Sequence, residues 1–453
     1  RPLHPHRASL PYGLTVLGLL VDLRAHSRRC AAMAEGRAKR QKMAPALFRT
    51  LAELEESLPP PWREDERVLQ LRCATLAARA NGRAPLAVVD DDPTGTQTAH
   101  SVPVLADWSE PTLAPVLSMD RPCFYLLANT RALPTEQAVA RAEEIGRGLR
   151  AAALRAGVGP LSAVVSRGDS CLRGHYPAET EALARGLGWG VEGGDAEAPT
   201  VVLAPFFAEG GRLTAGDVHY VADPAGADGV RALTPVGATE FARDRAFGFT
   251  ASSLPEWVAE KHAGAAAPQV CSVDLRLLRE AGPQAVAELV TAAPAGCVVI
   301  ANAVATRDMQ VFALGCLMAE LARGPRRPIL YRSAGALVSA RAALPPRPLL
   351  SAAELARTSA GPGGKAGLVV VGSYRGAAPT SWPCCCSSAP GWPPWSSGSR
   401  PSRRARGPPG RRRRAAPGRQ WPPPWRGASP PCCTPAGGWC RTTGPAACTS
   451  APA

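Results

Sequence analysis

Two short stretches hold most of the residue types that chemistry needs. The first, SRGDSCLRGHYP at 166–177, places two arginines, an aspartate, two serines, two glycines and a histidine directly after the apolar run LSAVV. Arg167 and Arg173 can each fork onto a carboxylate or phosphate, and Asp169 can orient one of them or accept a hydroxyl proton. Gly168 and Gly174 let backbone N–H groups approach an anion, and the helical run AETEALARG that follows would aim its positive end at the same place. Ser166 and His175 add polar groups to the loop. An internal Arg–Asp ion pair would use the same residues with no ligand at all. The RGDS tetrapeptide also occurs as an adhesion motif, but nothing in the chain suggests secretion.

The second stretch is VVDDDPTGTQTAH at 88–100. An apolar strand ends in three aspartates and then Pro-Thr-Gly-Thr. Asp91 and Asp92 offer carboxylates for a hydroxyl proton or a Mg2+ ion, Thr94 offers a hydroxyl, and Gly95 permits close backbone approach. A solvated Asp/Pro/Gly turn is the plainer account. Three acids at the tip of a buried strand repel one another, so some of them need a partner. A third cluster, APFFAEGGRLTAGDVHYVAD at 204–223, contributes Arg212, Asp217 and His219, or is simply a β-hairpin with solvated charges. Weaker candidates are Asn302, Arg307 and Asp308 in ANAVATRDM, and Arg332 in LYRSAGALVSA, which could reach a ligand or cap a helix. No metal-ligand triad is visible, and lone histidines such as His175 and His219 are more often structural than catalytic.

These clusters follow apolar runs that read as buried strands: LAVVD 86–90, CFYLLAN 123–129, LSAVVS 161–166, TVVLAP 200–205 and GCVVIAN 296–302. Helical patterns alternate with them. One starts at Thr135 and ends at Gly157, and another ends at Gly324. Strand and helix alternation predicts an α/β fold with a largely parallel, covered sheet. Such sheets bind ligands at the carboxyl ends of their strands, which is where the polar clusters fall.

The rest of the chain divides by composition. Residues 1–84 read as a leader and helical lead-in, with Leu47, Leu51, Leu54 and Leu58 at helical spacing and Pro59 to Pro61 as the stop. Residues 85–325 form the α/β region. Residues 326–373 read as a linker and the first strand of a second α/β domain. Residues 374–453 contain seventeen prolines, six tryptophans and no Leu, Ile, Val or Phe, so they cannot build a core and are expected to be disordered. Shifted by two nucleotides in GC-rich codons, TSWPCCCSSAPGWPPW at 380–395 becomes an amphipathic helical sequence. We therefore expect the tail to be a frameshifted reading of an ordinary α/β domain.

Whole-chain totals mislead for the same reason. The formal net charge is +15, but twelve arginines and no Asp, Glu or Lys follow Val371, leaving 15 − 12 = +3 for residues 1–371. That body is too weakly basic to argue for nucleic acid. Seven of the fourteen cysteines lie after residue 383 without metal spacing, and the others are scattered singles that suit a reducing compartment. The longest early apolar run, at 13–23, falls short of the roughly 20 residues a membrane span requires. A cytoplasmic protein is expected. The Arg-rich, acid-poor residues 1–32 leave organelle targeting open.

Taken together, VVDDDPTGTQTAHSVPVL, LLANTRAL, SRGDSCLRGHYPAE, APFFAEGGRLTAGDVHYVAD, GATEFARDRAFGFTASSLPEWVAEK, ANAVATRDMQVFA and YRSAGALVSA resemble the four-carbon acid sugar kinase family over roughly residues 45–373. The version with three aspartates and DVHYVAD is most similar to the copy in plant-type fusion proteins. The resemblance implies a two-domain kinase that moves the ATP γ-phosphate, with Mg2+, to the terminal hydroxyl of a 3-oxo-tetronate, threonate or erythronate. It implies that the amino-terminal domain holds the acid and the carboxyl-terminal domain the nucleotide. Asp91 and Asp92 match the family's Asp-Asp-x-Thr-Gly loop, and Arg167, Asp169 and Arg173 match its Arg-Gly-Asp-Ser loop. Ser373, in LVVVGSY at 368–374, matches a nucleotide-contacting serine. Cys171 stands where the family usually carries Thr. On this reading Arg167 and Arg173 hold the substrate carboxylate, and one of Asp91, Asp92 or Asp169 orients the attacking hydroxyl. The family's later Gly-rich nucleotide loops have no counterpart after Tyr374, so the chain as written is expected not to turn over ATP. Two other readings stand beside this one: a non-catalytic sugar-acid-binding protein, and a nucleic-acid-associating protein that uses RRARGPPGRRRR at 403–414. The sequence leaves homo-oligomerisation open.

Overall fold

The computed structural model describes residues 47–224, 229–263, 266–348 and 351, all within one compact unit, Arg1–Thr358. The leader before 47, Ser373 and the tail from 374 lie outside the described residues.

Eight strands make one sheet: β1 (Leu86–Asp90), β2 (Val104–Leu105), β3 (Cys123–Leu127), β4 (Ala163–Arg167), β5 (Thr200–Ala204), β9 (Val270–Val273), β10 (Val298–Ala301) and β11 (Ile329–Ser333). Every pairing in it is parallel, in the order β2-β3-β1-β4-β11-β5-β10-β9. A second, antiparallel sheet joins β6 (Arg212–Ala215), β7 (Val218–Ala222) and β8 (Leu233–Pro235). The helices are α1 (Leu51–Glu56), α2 (Glu66–Ala77), α3 (Glu110–Leu117), α4 (Thr135–Ala156), α5 (Ala178–Gly186), α6 (Leu254–Lys261), α7 (Gly282–Ala292), α8 (Thr306–Arg323) and α9 (Gly335–Arg341).

Each central strand buries both faces, which is why it reads as an unbroken apolar run. Leu86 and Val88 of β1 join a core with Leu69 of α2, Val290 of α7 and Phe312 of α8. Ala87 and Val89, one residue out of phase, join a core with Leu113 of α3, Ile145 of α4 and Leu183 of α5. Leu203 and Ile300 meet Tyr176, Trp257 and Val258 in a third cluster. Burying each large side chain contributes about 1.5–3 kcal/mol, so a charge at Val88 would break the sheet at its centre.

Local signals set the helix ends. Thr50 and Glu53 form a reciprocal capping box on α1, with Glu53 N–H donating to Thr50 Oγ1 at 3.2 Å. Gly157 takes the left-handed conformation at φ 67° and ends α4.

The sheet continues past the expected boundary at residue 325. β11 lies between β4 and β5, at the middle of the sheet. Its sequence, ILYRS, ends in two polar residues, Arg332 and Ser333, which belong to the charged edge described next.

Candidate functional site

Strand order places the two leading sequence clusters side by side. From β1 the chain goes to β3 on one side, then crosses back to β4 on the other, so β1 and β4 flank a switch point. Their carboxyl ends pair as Asp90↔Arg167. The loops beyond are stitched together by backbone: Asp91 N–H to Arg167 O at 3.2 Å, Arg131 N–H to Asp91 O at 3.1 Å, and Gly168 N–H to Ser333 O at 2.9 Å.

Two arginines, from the ends of the strands that flank the β1/β4 pair, organise the charge. Arg131, which carries no signal in the sequence, follows β3. It forks onto Asp91 (Nη2–Oδ1 2.5 Å, Nε–Oδ2 3.1 Å) and reaches Asp92 with Nη1 at 3.0 Å. Arg332, at the end of β11 and only a weak candidate from sequence, donates to Ser166 Oγ at 3.0 Å and Glu179 Oε2 at 3.5 Å. It stands 4.0 Å from Asp91 Oδ2. Its guanidinium lies against the Cα positions of Gly168 and Gly174, where a methyl on either glycine would collide with it. The glycines of this loop therefore make room for an arginine of the protein. Likewise the first turn of α5 supplies its own acid. Glu179 is buried, accepts from Thr130 Oγ1 at 2.5 Å, and has its carboxyl pushed above the usual range by burial, against the opposing pull of Arg332.

The aspartates differ sharply. Asp90 belongs to the strand itself and gives no sign of a special role in the sequence. It is 2% exposed, its carboxylate packs on the Cα of Gly95, and burial pushes its pKa up to about 7 against the counter-effect of Arg167 at 3.6 Å. Asp91 is 1% exposed and held in Arg131's fork. The Asp92 side chain is 24% exposed. Partial burial would raise its pKa, but hydrogen bonds from the Thr94 hydroxyl and Thr94 N–H, with Arg131 beyond, outweigh that and hold it low. Asp169 is likewise held low. Its burial is overcome by Arg173, whose Nε donates at 2.7 Å and Nη2 at 3.3 Å. The internal ion pair that this loop's sequence allows is thus present, on a rim where the Asp169 and Arg173 side chains keep 11% and 13% of their surface exposed.

The remaining candidates brace this edge. Arg167 is buried beside Asp90 and Asp91, and its Nε has no acceptor among the described residues. His175 Nε2 donates to Thr130 O at 3.1 Å and its Nδ1 lies 3.2 Å from Thr135 Oγ1, which ties the loop to α4. The 204–223 segment is a β6–β7 hairpin, and two of its side chains reach the same loop. His219 lies 2.8 Å from Ser170 O and 2.9 Å from Thr214 Oγ1, and burial lowers its pKa to about 4. Arg212 Nε donates to Cys171 Sγ at 3.3 Å, and its guanidinium and that of Arg173 both lie over the Phe241 ring. Burial raises the Cys171 thiol to about 11, so it is a packing residue rather than a nucleophile. Asp217 and Asn302 instead pair with each other at 2.8 Å, clipping the hairpin to β10. Asp308 takes a fork from Arg279, whose Nε lies 2.8 Å away. Arg307 reaches Trp62 O at 3.4 Å.

The aspartates of the β1 loop are engaged by arginines and Thr94, and among the described residues no three His, Cys, Asp or Glu side chains are grouped to hold a metal. No described helix is long and apolar enough to cross a membrane.

Fold and site together define a doubly wound α/β domain with a cluster of charged side chains at its switch point. The chain belongs to the sugar-binding N-terminal domain family, which matches residues 86–341, more than half of the 453. Among solved structures, a domain of unknown function (DUF1537) from Bordetella bronchiseptica, with bound citrate and as a domain-swapped dimer, is 22% identical over 57% of this chain and 57% of that one, at a TM-score of 0.41. A Haemophilus influenzae protein of the same family is 17% identical over 57% of this chain and 55% of its own, at 0.40. The chain thus spans a little over half the length of these structures. No curated protein sequence matches it.

Proposed function

We propose that this domain holds a four-carbon sugar acid at the carboxyl edge of its sheet, as the acceptor-binding half of a sugar-acid kinase. One observation carries the reading. At the β1/β4 switch point a fixed, buried floor of Asp91, Glu179 and Arg332 supports a partly exposed rim of Asp92, Asp169 and Arg173. Arg173 is suited to meet the substrate carboxylate, and buried Arg167 adds positive field behind it. Among the three candidate carboxylates Asp92 is the most exposed and is held ionised, so it is the best placed to orient a terminal hydroxyl. Such a site needs no chemistry beyond positioning and charge complementarity.

ATP and Mg2+ would come with a nucleotide domain. When bound they would supply the phosphoryl group and neutralise its charge. Ser373, the residue expected to contact nucleotide, lies outside the described residues, so no step is assigned through either. The likeness to the copy in plant-type fusion proteins belongs to this same reading. On this reading the described domain binds the acid, and phosphoryl transfer requires the nucleotide domain.

Calorimetric titration of the full chain with threonate, erythronate and 3-oxo-tetronate tests this. One of them should bind saturably, Arg173→Ala should weaken it by tenfold or more, and Mg-ATP should yield no phosphorylated product. Unchanged affinity in Arg173→Ala would remove that residue from the site, and ATP-dependent product would refute the lost turnover.

A further inference from the structure

Beside the Asp169–Arg173 rim lies a small cavity of about 10 Å3, room for one water-sized group. Leu172, Leu203 and Pro205 form its apolar wall, and Asp169, Arg332, Ser333 and Trp257 its polar one. Two of these polar groups are orphans. Ser333 Oγ and Trp257 Nε1 are fully shielded and have no hydrogen-bond partner among the described residues, in side chains 4% and 1% exposed. Buried polar atoms in folded proteins almost always find a partner, so two orphans in residues that line one cavity point to a polar group seated between them.

The chemistry of the wall says what that group is. The indole N–H can only donate, so the occupant must offer an acceptor oxygen. The Asp169 carboxylate can only accept and already takes two bonds from Arg173, so it disfavours an anion and leaves room for a proton that the occupant carries, while Arg332 on the same wall offers further donors. A hydroxyl does both, and the apolar wall suits the carbon that bears it. The Trp257 ring stacks on Tyr176 at 4.9 Å and meets Phe249 edge-on, so packing fixes the direction of its N–H.

We propose that this cavity is the subsite for one secondary hydroxyl of the bound acid, with Trp257 and Ser333 as specificity-determining residues. The proposal rests on the function proposed above and adds which contact distinguishes one hydroxy acid from another. The terminal hydroxyl is excluded, because it must face the incoming phosphoryl group. The acid's C2 or C3 hydroxyl enters the cavity, displacing at most one water.

The test titrates the full chain with threonate and with its two deoxy analogues, 2,4-dihydroxybutanoate and 3,4-dihydroxybutanoate. One analogue should bind about tenfold or more weakly than threonate, the loss of one to two buried hydrogen bonds. Trp257→Phe, which keeps the stacked ring, and Ser333→Ala should weaken threonate by a similar factor and leave that analogue unchanged. Equal affinity of all three acids for the wild-type chain overturns the subsite even if a variant fails to fold. Variants that bind threonate as the wild type does overturn it as well, and assign the cavity to a structural water. If no four-carbon acid binds at all, the proposed function falls and this subsite falls with it.

Discussion

Replacing Gly168 by Ala asks whether the glycines of the 166–177 loop exist to admit Arg332. Gly168 is not among the residues with positive φ, so alanine meets no backbone penalty there. What a methyl meets is the Arg332 guanidinium, with both terminal nitrogens inside any allowed contact distance. The side chain must then shift or leave. A shift costs about 1–3 kcal/mol, as overpacking does. Full displacement breaks the contacts to Ser166 Oγ at 3.0 Å and Glu179 at 3.5 Å and leaves a buried carboxylate without its arginine, which costs about 3–5 kcal/mol. Gly168→Ala should therefore destabilise by about 2–4 kcal/mol. In an Arg332→Ala background the collision partner is gone, and the same change should cost under about 0.5 kcal/mol. Urea unfolding of the four proteins closes the cycle, with an expected coupling of about 1.5–4 kcal/mol. Additive effects would refute the reasoning, because they would mean that Gly168 serves the backbone or a ligand and not Arg332.

Two further predictions concern protons. Because burial lifts Asp90 to about 7, the folded protein holds a proton that the unfolded chain releases near pH 4. Its contribution is fully present below about pH 4 and is lost as pH rises to about 7, up to about 4 kcal/mol. Asp90→Asn should thus gain stability relative to the parent from about pH 4 to about pH 7 and level off above, and a difference flat across that range would contradict the assignment. His219, lowered to about 4, should keep a neutral ring with the proton on Nε2. Its nitrogen NMR shifts should stay constant from about pH 5 to pH 8, and a midpoint near pH 6.5 would show that the ring is not sealed against Ser170. In linkage terms this histidine weakens the fold as pH falls from about 6.5 toward 4, because only the unfolded chain takes up the proton.

Much of this architecture was legible in the sequence, for physical reasons. LAVVD and TVVLA coincide with β1 and β5 because strands buried on both faces need unbroken apolar runs. The helix ends at Gly157 and Gly324 were visible because C-terminal glycines are chemically distinctive. β11 was harder to see, since two of its five residues are the polar Arg332 and Ser333. Arg131 and Glu179 were hidden for a different reason. An arginine in LLANTRAL and a glutamate on a helix look like ordinary surface charges until the topology turns them toward Asp91 and Arg332. Trp257 carried no chemical signal at all. Its role rests on an N–H left without a partner, which only three-dimensional packing reveals.

A crystal structure of the full chain soaked with the tightest-binding four-carbon acid tests the central claim most directly. The carboxylate should lie within hydrogen-bond reach of Arg173, and a secondary hydroxyl should enter the cavity between Ser333 and Trp257. An acid bound away from the carboxyl ends of β1 and β4, for instance in the cavity beside Trp189 at the opposite end of β4, would contradict it.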